Sequence, residues 1–317
     1  MEKREKFRDL LAEEQIFAPC VYDCISARAA DLCGYKALML SGGAVSYSMS
    51  GLPDMGFTTI DEIVWITERI TNVNPWPLIV DADDGFAESP AVVYRNMHRL
   101  LKAGAMGITI DDSTGIRGAE RFFYALAKGE KVAMSDVARV VPRDLWLSKV
   151  KATLAACEGT DCVTIARIGL PLKNEADFTE AMERALRAKD LGAEMIMVNV
   201  HDLEDAQRVA RYVEGWKMWP DVMSKDGVPN VDLNDVYELG FNFVTMHIFE
   251  KAAMYGMMKY GLENFKNKNS VYSELHDMGG YTTFKEQMMT LVDHEEWIAR
   301  ENEFKDISSR KRGEGEN

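Results

Sequence analysis

One pattern constrains this 317-residue chain more than any other. A helix-like segment meets a glycine, and an apolar run follows. It recurs as CGYKALML (33–40), AGAMGITI (103–110), LGAEMIMV (191–198) and LGFNFVTM (239–246). Glycine takes the left-handed conformation that ends a helix. A short apolar run bounded in that way reads as a strand buried on both faces. Four more runs fit between or before these, around Ile16–Val21, Pro77–Asp81, Cys162–Arg167 and Met218–Met223. Amphipathic segments such as IDEIVWITERI, AVVYRNMHRLLKA and DFTEAMERALRAKDL separate most of them.

Strands alternating with helices predict a parallel sheet, and about eight units over residues 16–260 predict a closed (β/α)8 barrel. The rival is an open doubly wound sheet, which usually carries a Gly-rich fingerprint after its first strand. No such fingerprint occurs here. The barrel is therefore expected within residues 1–260, with a long segment, 112–147, after the fourth strand as a lid over its mouth. Residues 261–304 are expected to form a C-terminal helical extension for oligomer packing, because the apolar face in TTFKEQMMTLVDHEEWIA needs a surface to cover. Residues 305–317 are expected to be a disordered tail.

A net charge of −14, with no long basic run before the tail, argues against nucleic acid and anionic membrane as partners. The N-terminal MEKREKFRDLLAEEQ has no apolar core of a signal peptide. No run reaches the roughly 18 apolar residues of a membrane span. Five cysteines at irregular spacing suit reduced thiols, so a cytoplasmic location is expected. The pairs Cys20/Cys24 and Cys157/Cys162 lack the neighbours of a zinc site and read as small apolar fillers.

The stretch PLIVDADDGFAES (77–89) carries the chemistry. A barrel works at the C-terminal ends of its strands, and Asp81 and Asp83 fall at such an end. In an extended chain residues i and i+2 share a side, so these two carboxylates are expected to converge, with Asp84 pointing away. GITIDDSTG ends the next strand in Asp111 and Asp112, and SGGAVSYSMSGLPDMG brings Asp54 to the same face. Clustered carboxylates repel unless a cation or a shared proton compensates. Mg²⁺, with Mn²⁺ as an alternative, answers with one or two direct carboxylates and several waters. The competing reading makes these acids helix N-caps, which explains one acid per loop. Two features aim at an anion. Ser41, Gly42 and Gly43 end the second strand and offer backbone N–H groups. Arg167 ends the fifth, where a guanidinium suits a carboxylate. Its alternative role is a buried salt bridge to one of the aspartates.

VYDCISARAADLCGYKALMLSGGAVS, GLPD, LIVDADDGF, ITIDD and TIARI, in this order over about residues 16–260, resemble the isocitrate lyase/phosphoenolpyruvate mutase superfamily. The resemblance implies a (β/α)8 TIM barrel with C-terminal helix exchange between subunits, usually in a dimer of dimers. It implies Mg²⁺ and a small α-oxo or α-hydroxy acid. Asp83 or Asp81 would ligate the ion, with Asp54 and Asp111 helping through water. Ser41, Gly42 and Gly43 would hold the substrate carboxylate and oxo group, and Arg167 a carboxylate or phosphonate.

Departures narrow the chemistry. Family members usually have glutamate where Asp111 stands. The lyases of isocitrate and methylisocitrate carry a Lys-(Lys/Arg)-Cys-Gly-His motif in the lid, but no cysteine lies between Cys33 and Cys157 here. The Lys-Thr-Asn-(Ser/Thr) stretch of the phosphonate enzymes is missing too, and Asn199 stands where they have a histidine. Decarboxylation of a β-oxo acid through an enolate of pyruvate type demands least of the lid. Cleavage of a 2-hydroxy-dicarboxylate of methylisocitrate or dimethylmalate type is the second candidate, with Tyr22, Tyr47 or a loop residue as acid. A phosphonopyruvate mutase or hydrolase is the third, and an inactive barrel serving as a binding protein is the non-enzyme alternative. His247, at the end of the eighth strand in FVTMHIFEKAA, resembles a histidine of oxaloacetate decarboxylase-type members. An unperturbed imidazole, with pKa about 6.5, would donate a proton or a hydrogen bond near neutrality.

Overall fold

The computed structural model describes residues 6–113, 125, 128–130, 140–222, 224–225, 228–268 and 280–305. Eight parallel strands close a barrel. In chain order they are β1 (Ile16–Val21), β2 (Leu38–Leu40), β3 (Leu78–Asp81), β4 (Gly107–Asp111), β5 (Val163–Ile168), β6 (Met195–Val198), β7 (Lys217–Trp219) and β8 (Phe241–Met246). Each pairs with its sequence neighbours, and β1 closes on β8 through Ile16↔Phe243 to Pro19↔Met246. Helices on the outside connect most of them, so the (β/α)8 expectation holds.

The recurring glycines do what their spacing predicts. Gly192 ends helix Glu175–Leu191 with φ 109, and its N–H bonds back to Ala188 O and Lys189 O. Gly34, Gly104 and Gly240 also have positive φ, a region that side chains with a Cβ avoid. The helix is stopped there, and the following apolar run is released into the sheet.

Two apolar layers result. Val21, Leu40, Val80, Ile110, Ala166 and Val198 face the helices. Ala18, Cys20, Met39, Ile79, Ile165, Met197, Met218 and Phe243 fill the barrel itself. Helix Phe7–Glu13 joins the inner set through Phe7, Leu10 and Leu11, and the Phe7 ring meets Phe243 edge-on at 5.1 Å. The charged N-terminal sequence thus contributes an apolar face to the barrel core.

One strand is shorter than its apolar run suggests. The run Met218–Met223 was expected as strand, but β7 stops at Trp219. Pro220 follows, and proline has no N–H to give to a ladder. Trp219 Nε1 instead donates to Asp221 O, and Val222 N to Thr245 O.

Most of the expected lid, 112–147, and nearly all of the expected tail, 305–317, lie outside the described residues. The chain divides into two compact units, Met1–Ala253 and Met254–Asn317. The second contains the larger part of helix Phe249–Asn267 and helices Gly280–Leu291 and His294–Lys305. Its Phe265, Trp297 and Phe304 are exposed. Among the described residues no helix is long and apolar enough to cross a membrane.

Candidate active site

The acids gather at the C-terminal mouth of the first unit. β3 ends at Asp81, and the chain leaves the extended conformation there, because Asp83 has φ 50. Left-handed backbone at a non-glycine residue costs about 1–3 kcal/mol and tends to occur at functional sites. Three bonds hold the turn: Gly85 N to Ala82 O at 2.8 Å, Asp83 N to Asp81 Oδ1 at 3.2 Å, and Asp111 N to Asp83 O at 2.7 Å. The expected i, i+2 geometry of an extended strand is therefore corrected. Asp81 and Asp83 do converge, but through a left-handed turn tied to β4.

They converge on the turn after β2. A carbon placed on Gly42 would stand 3.3 Å from Asp83 Oδ1 and 3.8 Å from Asp81 Oδ2, and one on Gly43 would stand 3.1 Å from Asp54 Oδ2. A side chain at Gly42 or Gly43 would press on Asp83 or Asp54, so the glycines leave these acids room against the backbone. Ser41 is the N-cap of the short helix Gly42–Val45 and accepts from Ala44 N at 3.2 Å. Its hydroxyl is thus partly used in forming the turn.

Arg167 sits among these acids. Its Nη1 lies 3.2 Å from Asp81 Oδ2 and its Nε 3.3 Å from Asp111 Oδ2. The salt-bridge role left open for this residue is present, and it involves two aspartates. Asp111 is buried, and its Oδ1 also accepts from Ser113 N at 2.9 Å. Asp84 points elsewhere, as expected, to the buried Lys149 at 3.1 Å.

Asp112 belongs to the scaffold. Its Oδ1 accepts from Gly169 N at 2.7 Å and its Oδ2 from Arg184 Nη1 at 3.1 Å. Burial, with the charge of Asp111 second, pushes its carboxyl up to about 7 against the pull of Gly169, Arg184 and Arg167. Tyr22 and Asn199 follow β1 and β6 at the same end of the barrel, both half-buried. Burial raises the Tyr22 phenol, and the charges of Asp23 and Glu250 add to it.

His247 follows β8. Its Nε2 lies 3.4 Å from Cys20 Sγ, its Nδ1 3.0 Å from Glu250 Oε1, and its backbone N donates to Asp221 Oδ1 at 3.3 Å. Burial opposes the imidazolium, but Cys20, Glu250 and Asp221 outweigh it and raise the ring to about 11. The two flanking acids and the thiol thus pull this ring away from its unperturbed value. Sequence reasoning missed Cys20 and Glu250. The signal for Glu250 was its place three residues after His247 at a helix start; Cys20 gave none beyond being a cysteine.

Among the described residues, no group of three or more His, Cys, Asp and Glu is placed to hold a metal ion. Mg²⁺ needs fewer direct protein ligands, since it takes one or two carboxylates and keeps its waters. Arg167 meets two of these acids, Asp81 and Asp111, while Asp54, Asp81 and Asp83 crowd the Gly42–Gly43 turn, where a cation would ease their repulsion. Together with the glycine cradle, this donor set fits a hard divalent cation.

A closed parallel barrel with carboxylates and a guanidinium at its C-terminal mouth has the build of a barrel enzyme, whose active site lies at that face. The family model described as phosphoenolpyruvate phosphomutase matches residues 7–266, and the chain belongs to that family, within the isocitrate lyase/phosphoenolpyruvate mutase superfamily. It is 35% identical over 170 residues to a 2-methylisocitrate lyase of Escherichia coli, covering 54% of this chain and 52% of that protein. It is 28% identical over 192 residues to an oxaloacetate decarboxylase of Paraburkholderia xenovorans, covering 60% of each. The matched regions thus span about half to three-fifths of these relatives. A phosphonopyruvate hydrolase structure, solved with oxalate and Mg²⁺, shares the fold at TM-score 0.72 and 18% identity, covering 93% of this chain and 96% of that one. The family and the relatives named as lyase and decarboxylase support an enzyme of the carbon–carbon lyase class.

Proposed function

We propose that this protein is a Mg²⁺-dependent carbon–carbon lyase for a small α-oxo or α-hydroxy di- or tricarboxylate. It works through an enolate of pyruvate type, and oxaloacetate-type decarboxylation is the preferred reaction. The observation that carries this reading is the convergence of Asp54, Asp81 and Asp83 on the Gly42–Gly43 turn. Asp83 and Asp81 would hold the ion, Asp54 and Asp111 its waters, and Mn²⁺ could replace Mg²⁺. Bound there, the ion supplies a Lewis acid that stabilises developing enolate charge.

The protein's own groups do the rest. Backbone N–H groups of Gly42 and Gly43, with Ser41, orient the substrate carboxylate and oxo group. Arg167, held between Asp81 and Asp111, presents a fixed positive charge to a second carboxylate. Asn199 adds a neutral polar contact. His247 and Tyr22 lie at the barrel seam as proton-handling groups. Segment 112–147 acts as the lid, and residues 261–304 pack against other subunits in a dimer of dimers with helix exchange. The enzyme works in the cytoplasm.

A lyase of 2-hydroxy-dicarboxylates is the second reading, favoured by the identity to a 2-methylisocitrate lyase. The test is pyruvate and CO₂ release from oxaloacetate with Mg²⁺, corrected for the spontaneous and free-Mg²⁺ rates. Release no faster than that background, beside pyruvate formation from 2-methylisocitrate or a dimethylmalate, would move the second reading ahead.

A further inference from the structure

An enolate formed by carbon–carbon cleavage must gain a proton at carbon, and the structure offers a source other than the lid. Cys20 lies on β1 and is 2% exposed. Its side chain belongs to the set that fills the barrel, with Met39, Ile79, Ile165 and Met218. In register it is level with Met39, and Ser41 stands two residues further along. Two residues of strand are about 7 Å. By register the thiol is thus about two residues of strand below the turn that would hold the substrate.

Behind the thiol stands an ordered chain. His247 Nε2 is 3.4 Å from Cys20 Sγ, and Nδ1 is 3.0 Å from Glu250 Oε1. Asp221 receives the His247 backbone N–H at 3.3 Å. Glu250 is only 6% exposed, and among the described residues its Oε2 has no hydrogen-bond partner. A carboxylate buried to this degree usually satisfies both oxygens. The arrangement follows the logic of thiol, base and orienting acid.

We propose that Cys20, His247 and Glu250 form one proton-delivery unit, in which the Cys20 thiol supplies the proton taken up by the enolate carbon. This rests on the enolate reading given above. When the carbon–carbon bond breaks, its electron pair becomes the enolate. The enolate carbon takes the proton of the Cys20 S–H, forming a C–H bond and leaving a thiolate. The His247 imidazolium stabilises that thiolate at once, then passes it the Nε2 proton. Glu250 keeps the ring oriented through Nδ1, and water returns a proton to His247. Cys20 and His247 hand on protons, and Glu250 is a positioning residue.

The test compares kcat and KM for oxaloacetate with Mg²⁺ in the wild type, Cys20→Ala, Cys20→Ser and Glu250→Gln, with melting curves to confirm folding. Cys20→Ala should lower kcat by about 10²-fold, the scale of one general acid, with KM within about twofold. Cys20→Ser keeps an O–H and should fall between the two. Glu250→Gln should lower kcat and shift the His247 ring ¹⁵N signals, a readout that a packing role for Glu250 would leave in place. A folded Cys20→Ala or Cys20→Ser variant with wild-type kcat overturns the inference. Asp83→Ala separates the two levels. If it abolishes turnover while Cys20→Ala does not, the acid site stands and the proton-delivery unit falls. If Asp83→Ala is fully active, the acid-site reading falls, and the kcat of Cys20→Ala still decides the role of the thiol.

Discussion

Gly42→Ala separates the site from the scaffold that carries it. Gly42 opens a short helix and needs no positive φ, so its backbone accepts alanine. Alanine is favoured over glycine in a helix by about 1 kcal/mol, so global stability should hold or rise slightly. The added carbon would stand 3.3 Å and 3.7 Å from the two Asp83 oxygens and 3.8 Å from Asp81 Oδ2. The closest of these is tighter than most real contacts, and Asp83 cannot retreat freely. Its backbone is pinned by Asp111 N on one side and Asp81 Oδ1 on the other. A shift of a few tenths of an ångström falls on the carboxylates, and misplacement by about 1 Å costs about 10²-fold in rate. The expected loss in kcat/KM is therefore about tenfold, with an unchanged or slightly higher urea midpoint. Steady-state turnover of oxaloacetate and urea unfolding on the same preparation measure both. Full activity in Gly42→Ala, or a loss of activity matched by a loss of stability, would mean that Gly42 does not set the carboxylate geometry.

Three further outcomes follow from the packing. Arg184→Ala removes the cation from Asp112, which is fully buried, and should destabilise the barrel by about 3–5 kcal/mol in urea unfolding; Asp112→Asn in the same chain should restore part of it. Phe7→Ala empties a site with no exposure at the base of the barrel and should cost about 3–5 kcal/mol by the same assay. His247 is raised to about 11 in the fold, so its contribution is complete below the unfolded value of about 6.5 and declines as pH rises toward 11. Urea midpoints should therefore fall more steeply between pH 7 and 10, as order-of-magnitude limits of that window, in the wild type than in His247→Gln.

The barrel was legible because its code is local. Each strand is a buried apolar run, and glycines such as Gly192 stop the preceding helix, so both signals sit within a few residues. The end of β7 was misjudged because an apolar run continues past Pro220 after the ladder can no longer use it. The acids were legible as residue types at strand ends. Their geometry was not, since it depends on the left-handed turn at Asp83 and on a bond from Asp111, 28 residues away. The seam chemistry was the least legible. Cys20 and His247 are 227 residues apart and meet only because β1 pairs with β8. Of the neighbours that raise the His247 pKa, Cys20, Glu250 and Asp221, only Glu250 is near it in sequence.

The carboxylates around Gly42 should bind a divalent cation, and calorimetric titration of Mg²⁺ measures that binding. Mg²⁺ with oxalate present should bind the wild-type protein, and binding should vanish in Asp83→Ala while that variant keeps its melting temperature without metal. Equal Mg²⁺ binding by the two proteins would contradict it.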